Sequence, residues 1–172
     1  DKNLHKKFAE EDPMFEPEYS TFEPTLREMN SKSVSTIPGT VNLTFDCRIL
    51  PKYDIEEVLE YIEVLKERIR SKFSVKIEKQ VIQKEQAPKG TEKNSKIVRK
   101  LVNSITEVKG IDPKIRGSGG NTCAFFLRKN GLDSVVWSTI DETMHKPNEY
   151  SKIRNMVNDS KVFAKLIESY DK

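Results

Sequence analysis

The clearest pattern in this chain of 172 residues is a strict alternation of apolar and polar positions over residues 41–49. A period of two is typical of a β-strand that buries one face. We predict that the buried set comprises Val41, Leu43, Phe45, Cys47 and Ile49. Arg48 falls in the opposite set, so its planar fork of donors points toward solvent, a partner or a carboxylate ligand. The alternative is a solvated sheet face on which Arg48 pairs with Asp46 or Glu28.

A helical pattern follows this strand. Asp54 can cap a helix, and Glu57 stands three residues later, in the position of a capping box. Apolar residues then recur every three or four positions as far as Ile69, which predicts a helix over residues 54–72. The other face is rich in lysine and glutamate, a composition typical of a solvated helix surface.

The segments around this helix predict the architecture of the first half of the chain. Residues 19–29 have strand composition, but Pro24 interrupts them and favours an edge strand. Alternation resumes over residues 73–81, and residues 4–9 have the pattern of a helix end. The order predicts an α+β open-faced sandwich of ferredoxin-like type that lacks its first strand and most of its first helix.

The second half alternates helical and strand-like segments, as α/β proteins do. The predicted helices occupy residues 95–108, 121–130 and 151–170, and the predicted short strands occupy residues 114–116 and 134–137. A polar loop at residues 86–90 separates the two halves. We therefore expect an α/β chain with one domain over residues 1–84 and a second over residues 85–172.

Composition excludes several classes of function. The 30 basic and 27 acidic residues are interleaved, so the net charge of +3 does not form the basic stripe of a nucleic-acid-binding protein. No apolar run approaches the roughly 20 residues of a membrane span. Cys47 and Cys123 are too few for a disulfide framework, so we expect reduced thiols and a cytoplasmic protein. Because the sequence begins with Asp1 and shows no signal peptide, we expect a fragment of a longer protein.

One candidate for chemistry is the loop over residues 143–150, which follows the strand-like run at 134–137. The loop contains His145, and loops at strand ends often carry metal ligands or catalytic groups. A zinc site needs three or four ligands, whereas His5 is the only other histidine of the chain. If His145 binds a metal, most of the ligands lie outside this chain. Otherwise His145 is a hydrogen-bonded surface or core residue.

A second candidate is the glycine-rich turn over residues 117–122. Gly119 and Gly120 permit close approach of a ligand to the main chain, and a helix start that follows such a turn attracts anions. The alternative is a tight connection between two elements with no ligand. The glycine spacing fits neither a P-loop nor a dinucleotide-binding turn.

Four motifs stand in the order and spacing of one known family. They are Ser35-Thr36-Ile37-Pro38-Gly39, Thr44-Phe45-Asp46-Cys47-Arg48-Ile49-Leu50-Pro51, Gly119-Gly120-Asn121-Thr122 and His145-Lys146-Pro147-Asn148-Glu149-Tyr150. Over nearly all of its length the chain resembles the C-terminal half of the acetylornithine deacetylase / succinyl-diaminopimelate desuccinylase family. These enzymes are di-zinc metallopeptidases and amidohydrolases, and the run over residues 137–142 is most similar to archaeal-type members.

The resemblance assigns a role to each motif. It implies that residues 1–84 are most of a lid domain, and that residues 85–172 are the closing part of a catalytic domain. His145 would be the last zinc ligand, and Arg48 would bind the substrate carboxylate. The residues that would line the substrate pocket or lie beside it are Gly119, Gly120, Asn121 and Asn148.

The function that the resemblance implies is hydrolysis of the amide bond of an N-acyl amino acid or small peptide. The intact family enzymes use two zinc ions, with cobalt as an alternative, and they form homodimers through the lid. The glutamate base, the lid histidine and the other zinc ligands belong to the N-terminal half, so this chain holds no catalytic residue. We therefore expect that the chain alone is inactive and binds no zinc.

Two positions depart from the family pattern. Ser35 stands where the family has an asparagine that contacts substrate, and Cys123 stands where many members carry aspartate. A non-catalytic alternative therefore remains open. In that alternative the chain is a lid-type dimerisation module or a truncated pseudoenzyme, and it binds a partner rather than a metal.

Overall fold

The computed structural model describes residues 2–144 and 146–171. Its helices and strands are α1 (Lys2–Lys7), β1 (Thr21–Met29), β2 (Val41–Arg48), α2 (Ile55–Phe73), α3 (Lys96–Lys109), α4 (Ala124–Lys129) and α5 (Ile153–Glu168). The chain forms two compact units. The first comprises Asp1–Ala87 with Gly117–Gly119, and the second comprises Pro88–Arg116 with Gly120–Lys172.

The sheet of the first unit consists of β1 and β2, which pair antiparallel. Both strands were predicted, and both are confirmed to within two residues at each end. The register is irregular between Pro24 and Leu26, so Thr25 is an extra residue in β1. A proline has no N–H to donate to a ladder, which explains why the bulge forms beside Pro24.

The hydrophobic core of the first unit lies at one end of this sheet. It contains Leu4, Phe8, Phe22 and Val58, which bring α1, β1 and α2 together. Asp54 caps α2 by accepting a hydrogen bond from the backbone N–H of Glu56 at 2.8 Å. The predicted capping box is wrong in its second half, because the Glu57 carboxylate lies 3.4 Å from the Lys7 ammonium. Glu57 thus links α2 to α1 instead of to its own helix start.

The buried face predicted for β2 is exposed in the described chain. Val41, Leu43 and Phe45 are 40%, 55% and 42% accessible to solvent, and Cys47 is also exposed. An alternating pattern shows that one face is apolar, but burial requires an element that packs on that face. Helices α1 and α2 reach Phe22 at one end of the sheet and leave the rest of this face uncovered.

Three predicted strands are wrong within the described residues. Residues 75–81, 114–116 and 134–137 have no strand structure, and residue 73 belongs to the end of α2. The ferredoxin-like sandwich is therefore not observed, and the sheet has two strands. A strand exists only when a neighbouring strand satisfies its backbone groups, and sequence alternation carries no information about that neighbour.

The second unit is built on the packing of α3 against α5. Its core consists of Leu101, Ile105 and Val162, with Trp137 partly buried against them. The predicted helices at 95–108, 121–130 and 151–170 are all present; α3 is shifted by one residue at each end, and α4 and α5 are shorter than predicted. Helix α3 ends at Gly110, whose φ of 67° is the left-handed conformation that favours glycine. No helix among the described residues has the length and the apolar composition to cross a bilayer.

Gly117 is the glycine with the strictest steric requirement in the first unit. A Cβ atom at this position would lie 2.7 Å from two atoms of the Phe15 ring, and its N–H donates to Met14 O at 2.7 Å. We expect Gly117→Ala to lower the free energy of unfolding by about 1–3 kcal/mol, the cost of overpacking. Urea denaturation measures this change. Gly39→Ala is the control, since its Cβ would meet Asn30 at an ordinary 3.7 Å; equal losses in both variants would contradict the prediction.

Candidate functional site

Arg48 is the last residue of β2, on the sheet face opposite the apolar set. Its Nε and one terminal nitrogen donate to the same Asp46 oxygen, at 3.3 and 3.2 Å. The two side chains are 57% and 48% exposed, so water screens this ion pair and its contribution to stability is small. The pairing of Arg48 with Asp46 on a solvated sheet face, one of the two alternatives from the sequence, is thus present. Because the pair is weak, the guanidinium can exchange Asp46 for another carboxylate.

The structure brings Arg48 and Gly119 together within the first unit. A Cβ atom at Gly119 would lie 3.8 Å from Cδ of Arg48, which is an ordinary van der Waals contact. The main chain at Gly119 therefore runs beside the aliphatic part of the Arg48 side chain, and both residues are exposed. A ligand carboxylate bound by the guanidinium would lie near this segment of backbone.

The glycine-rich turn divides into two parts with different roles. Gly117 packs on Phe15, as described above, which supports the structural explanation for that glycine. Gly120 and Asn121 are exposed and belong to the second unit, where they precede α4. Helix α4 has six residues and no side-chain cap, so its start is a weak source of positive potential. Anion binding at this helix start therefore has little support, and close approach of a ligand to the backbone at Gly119 stays a prediction.

The loop that follows Ile140 contains the other predicted site residues. His145 lies outside the described residues. Asn148 is exposed and adopts a φ of 60°, a left-handed conformation that asparagine tolerates better than most residues. A backbone hydrogen bond of 3.0 Å from Lys146 to Thr143 forms a turn in the same loop. The local geometry of the turn is thus one reason for an asparagine at this position.

An ion pair joins the two ends of this loop. The Lys152 ammonium donates to Oδ1 of Asp141 at 2.7 Å, and this bond raises the pKa of Lys152. The other oxygen of Asp141 is buried and has no hydrogen-bond partner in the described part of the chain. Beside it lies an open pocket of about 420 Å³. The residues that line the pocket are Ile140, Asp141, Glu142, Met144 and Lys146.

A second set of polar contacts, which the sequence analysis missed, holds the segment before this loop. Both Asp159 oxygens accept from Thr139, one from its N–H at 2.7 Å and one from its hydroxyl at 2.6 Å. The Lys109 ammonium lies 3.6 Å from Asp159, and it also donates to the Thr139 hydroxyl. Burial opposes ionisation of Asp159, but the bonds from Thr139 and the Lys109 charge outweigh it and lower the pKa of Asp159. Asp159 is therefore a carboxylate at neutral pH.

The described residues do not form a metal site by themselves. Among residues 2–144 and 146–171, no group of three His, Cys, Asp or Glu side chains is arranged to hold a metal ion. The Cys47 thiol does not supply a ready metal ligand, because the protein atoms around it and the Asp46 carboxylate raise its pKa and so oppose formation of the thiolate. A metal at His145 would need ligands from beyond this set.

Comparison with known proteins identifies relatives of the whole chain. The family model described as peptidase family M20/M25/M40 matches residues 7–169. An uncharacterized metallohydrolase of Methanococcus maripaludis is 39% identical over 178 residues, which cover 96% of this chain and 43% of the relative. An uncharacterized metallohydrolase of Methanocaldococcus jannaschii is 40% identical over 173 residues, which cover 96% of this chain and 42% of that protein.

More distant relatives include an enzyme with a named reaction and a solved structure. The succinyl-diaminopimelate desuccinylase of Sulfurovum sp. is 26% identical over 161 residues, which cover 94% of this chain and 41% of the enzyme. The crystal structure of an M20 family metallo-carboxypeptidase from Sulfolobus solfataricus superposes with a TM-score of 0.61 at 21% identity. That match covers 87% of this chain and 35% of the carboxypeptidase, and it shows a shared fold. The chain thus spans less than half the length of these relatives.

Proposed function

The chain belongs to the peptidase family M20/M25/M40, whose model matches residues 7–169 of its 172, and on this premise we propose a function for it. It serves as the C-terminal portion of a zinc-dependent hydrolase. The substrate is an N-acyl amino acid or a small peptide, and the bond cleaved is its amide. The names of the relatives support this choice, since two are metallohydrolases and a third is a desuccinylase.

The observation that carries the proposal is the exposed Arg48 side chain, whose aliphatic part lies beside Gly119. A substrate with a free carboxylate needs a planar pair of donors at a fixed place, and arginine supplies them bidentately. The pair with Asp46 is weak and exposed, so a substrate carboxylate can replace or join Asp46 on the guanidinium. Binding at this point would hold the amide carbonyl in position for attack.

The other proposed site residues act around this anchor. Gly119, Gly120 and Asn121 would line the substrate pocket; of these, Gly119 lies beside the aliphatic part of Arg48. His145 would hold one zinc ion through a neutral imidazole, and Asn148 would lie beside the substrate. A zinc ion at such a site supplies an acidified water and stabilises negative charge on the carbonyl oxygen. The remaining ligands and the general base would come from other parts of the complete gene product.

The proposal is tested on the complete translation product of the reading frame that encodes this chain. We expect tightly held zinc and zinc-dependent release of succinate or acetate from N-acyl amino acids, or cleavage of dipeptides. The 172-residue chain by itself is the comparison, and we expect no stoichiometric zinc after dialysis and no turnover. A complete product without zinc or amidase activity would contradict the proposal and favour the non-catalytic alternative.

We also propose that the first unit forms a homodimer. Its apolar strip, defined as Met29, Val41, Leu43 and Phe45, lies on one face of the sheet and is 40–55% exposed. Exposed contiguous apolar surface and unpaired strand edges both favour association. We expect Leu43→Glu to weaken the dimer at least about tenfold, because a charge would be buried at the interface.

Sedimentation over a concentration series measures the dimer dissociation constant. Asn42→Glu is the matched control, since it adds the same charge on the same strand but on the opposite face of the sheet. A wild-type chain that stays monomeric at all concentrations would refute the dimer. Equal weakening by both variants would refute the role of the apolar strip.

A further inference from the structure

The segment from Trp137 to Thr139 is fixed to the core of the second unit at two points. The Trp137 ring packs edge-to-face on Phe163 with centroids 5.8 Å apart, and the Lys109 ammonium lies 5.4 Å from the same ring. Two residues later, Thr139 donates both its N–H and its hydroxyl to Asp159 of α5. Lys109, on the last turn of α3, completes this arrangement.

These contacts are more buried than the other ion pairs of the second unit. The Lys109 and Asp159 side chains are 17% and 13% exposed, whereas the other ion pairs described in this unit have at least one partner that is more than half exposed. A buried carboxylate that lost these partners would be left uncompensated, so the cluster is a specific connection between residue 139 and both helices. We call Lys109, Thr139 and Asp159 the clamp.

The clamp lies at the start of the loop that follows Thr139, whose described residues, 140–144 and 146–151, have no helix or strand. At the far end, Lys152 precedes α5 and binds Asp141 at 2.7 Å. The bonds between Thr139 and Asp159 therefore hold the start of the loop, and the Lys152–Asp141 ion pair joins its two ends. A compact surface loop with closed ends can present side chains in a defined geometry without secondary structure of its own.

We propose that the clamp positions the described residues of this loop, 140–144 and 146–151, and so sets the placement of Asn148; in sequence, the same loop contains His145. The part of this inference that concerns a zinc site rests on the proposed function. The clamp residues are positioning residues: they bind the base of the loop and act on the site through it. Site residues must be held to within about 0.5 Å of the productive geometry, and a loop achieves this only when its base is fixed.

The first experiment measures the loop in the 172-residue chain by amide hydrogen exchange and NMR order parameters. Thr139→Val removes the hydroxyl donor with little change of shape, whereas Thr139→Ser keeps it. We expect amide hydrogen exchange at residue 139 to be about tenfold faster in Thr139→Val and in Asp159→Asn than in the wild type. This factor corresponds to the loss of one hydrogen bond to a charged group. The backbone order parameters of residues 140–144 and 146–151 should fall. Helices α3 and α5 should keep their protection from hydrogen exchange.

The controls make this result specific. Thr139→Ser should behave as wild type, and so should Asp133→Asn, which makes the same chemical change at an exposed loop position of this unit. An unchanged loop in Thr139→Val and Asp159→Asn would overturn the clamp. Uniform acceleration across α3, α5 and the loop would also overturn it, because the residues would then stabilise the whole unit rather than this segment.

The second experiment uses the complete gene product loaded with zinc. We expect Thr139→Val and Asp159→Asn to lose zinc to a chelator about tenfold faster than wild type, at the low end of the effect of removing an outer-shell partner. The value of kcat should fall while KM changes little, and Thr139→Ser should restore both zinc retention and kcat. Unchanged zinc retention and kcat in the variants would overturn the positioning role. A wild-type product without zinc would refute the proposed function instead, and the exchange experiment would still decide the clamp.

Discussion

In the complete gene product, we expect His145→Ala to remove one zinc ion and to lower kcat/KM by about 10³-fold or more. His145 lies outside the described residues, so this prediction rests on its motif, residues 145–150, and on membership of a family of peptidases. Loss of an imidazole ligand lowers metal occupancy and removes the charge that stabilises the transition state. The fold should survive, because the residues on either side of this position, Met144 and Lys146, are exposed and belong to neither described core.

The measurement is metal content after dialysis together with steady-state kinetics and a thermal unfolding curve. His5→Ala is the matched control, because His5 is the other histidine of the chain. The His5 ring packs edge-to-face on Phe22 with centroids 5.3 Å apart, so it has a packing role in the first unit. We expect the His5 variant to keep its zinc. Full zinc content and activity in His145→Ala would show that His145 is a loop residue without a metal.

The second large effect is expected from Arg48→Ala, which should raise KM for substrates with a free carboxylate by about 10–100-fold. This range corresponds to the ~1.5–3 kcal/mol of a hydrogen bond to a charged group. The free energy of unfolding should change little, because the pair with Asp46 is about half exposed. Arg48→Lys should recover only part of the affinity, since an ammonium lacks the bidentate fork.

Two controls separate substrate binding from a general loss of charge. Arg70 belongs to α2 of the same unit and forms a similarly exposed pair with Glu67 at 3.3 Å, so Arg70→Ala should leave KM unchanged. A substrate whose carboxylate is amidated should bind the wild type and Arg48→Ala equally well. An equal rise of KM for the amidated substrate would show that Arg48 does not contact the carboxylate.

Helices were the elements that the sequence predicted best, because their signals are local. Asp54 stands at the start of α2, and Gly110 ends α3 in a left-handed conformation. In α3 the apolar residues Leu101 and Ile105 stand four positions apart, and both are buried. Caps and i, i+3, i+4 spacing are properties of a single segment, so no other segment is needed to interpret them.

Burial was predicted less well than secondary structure. In α5 the apolar residues Ile153, Met156 and Ile167 are 78%, 59% and 67% exposed. The side chains that pack inward are Val162 and Leu166, and Asp159 lies on the same side of the helix. A helix with apolar residues around much of its circumference has more than one candidate inner face, and only its neighbours select one.

The candidate site also contains residues that the sequence predicted and residues that it did not. The sequence identified Arg48, Gly119 and the loop with His145 and Asn148 through short motifs, and the structure then placed Arg48 beside Gly119. No sequence motif indicated that Lys109, Thr139 and Asp159 meet, because these are common residue types 20 to 50 positions apart. Contacts between distant side chains depend on how α3 and α5 pack, which no local pattern encodes.

The sequence by itself therefore determined the helices, the two paired strands, the family and the residue types available for chemistry. Tertiary structure alone decided which apolar faces are covered, that Gly117 is required by the Phe15 ring, and that Asp159 holds Thr139. It also decided that the strand-like segments at 75–81 and 134–137 do not form strands. The physical reason is that propensity and periodicity act within one segment, whereas burial, strand pairing and ion pairs each require a second segment at contact distance.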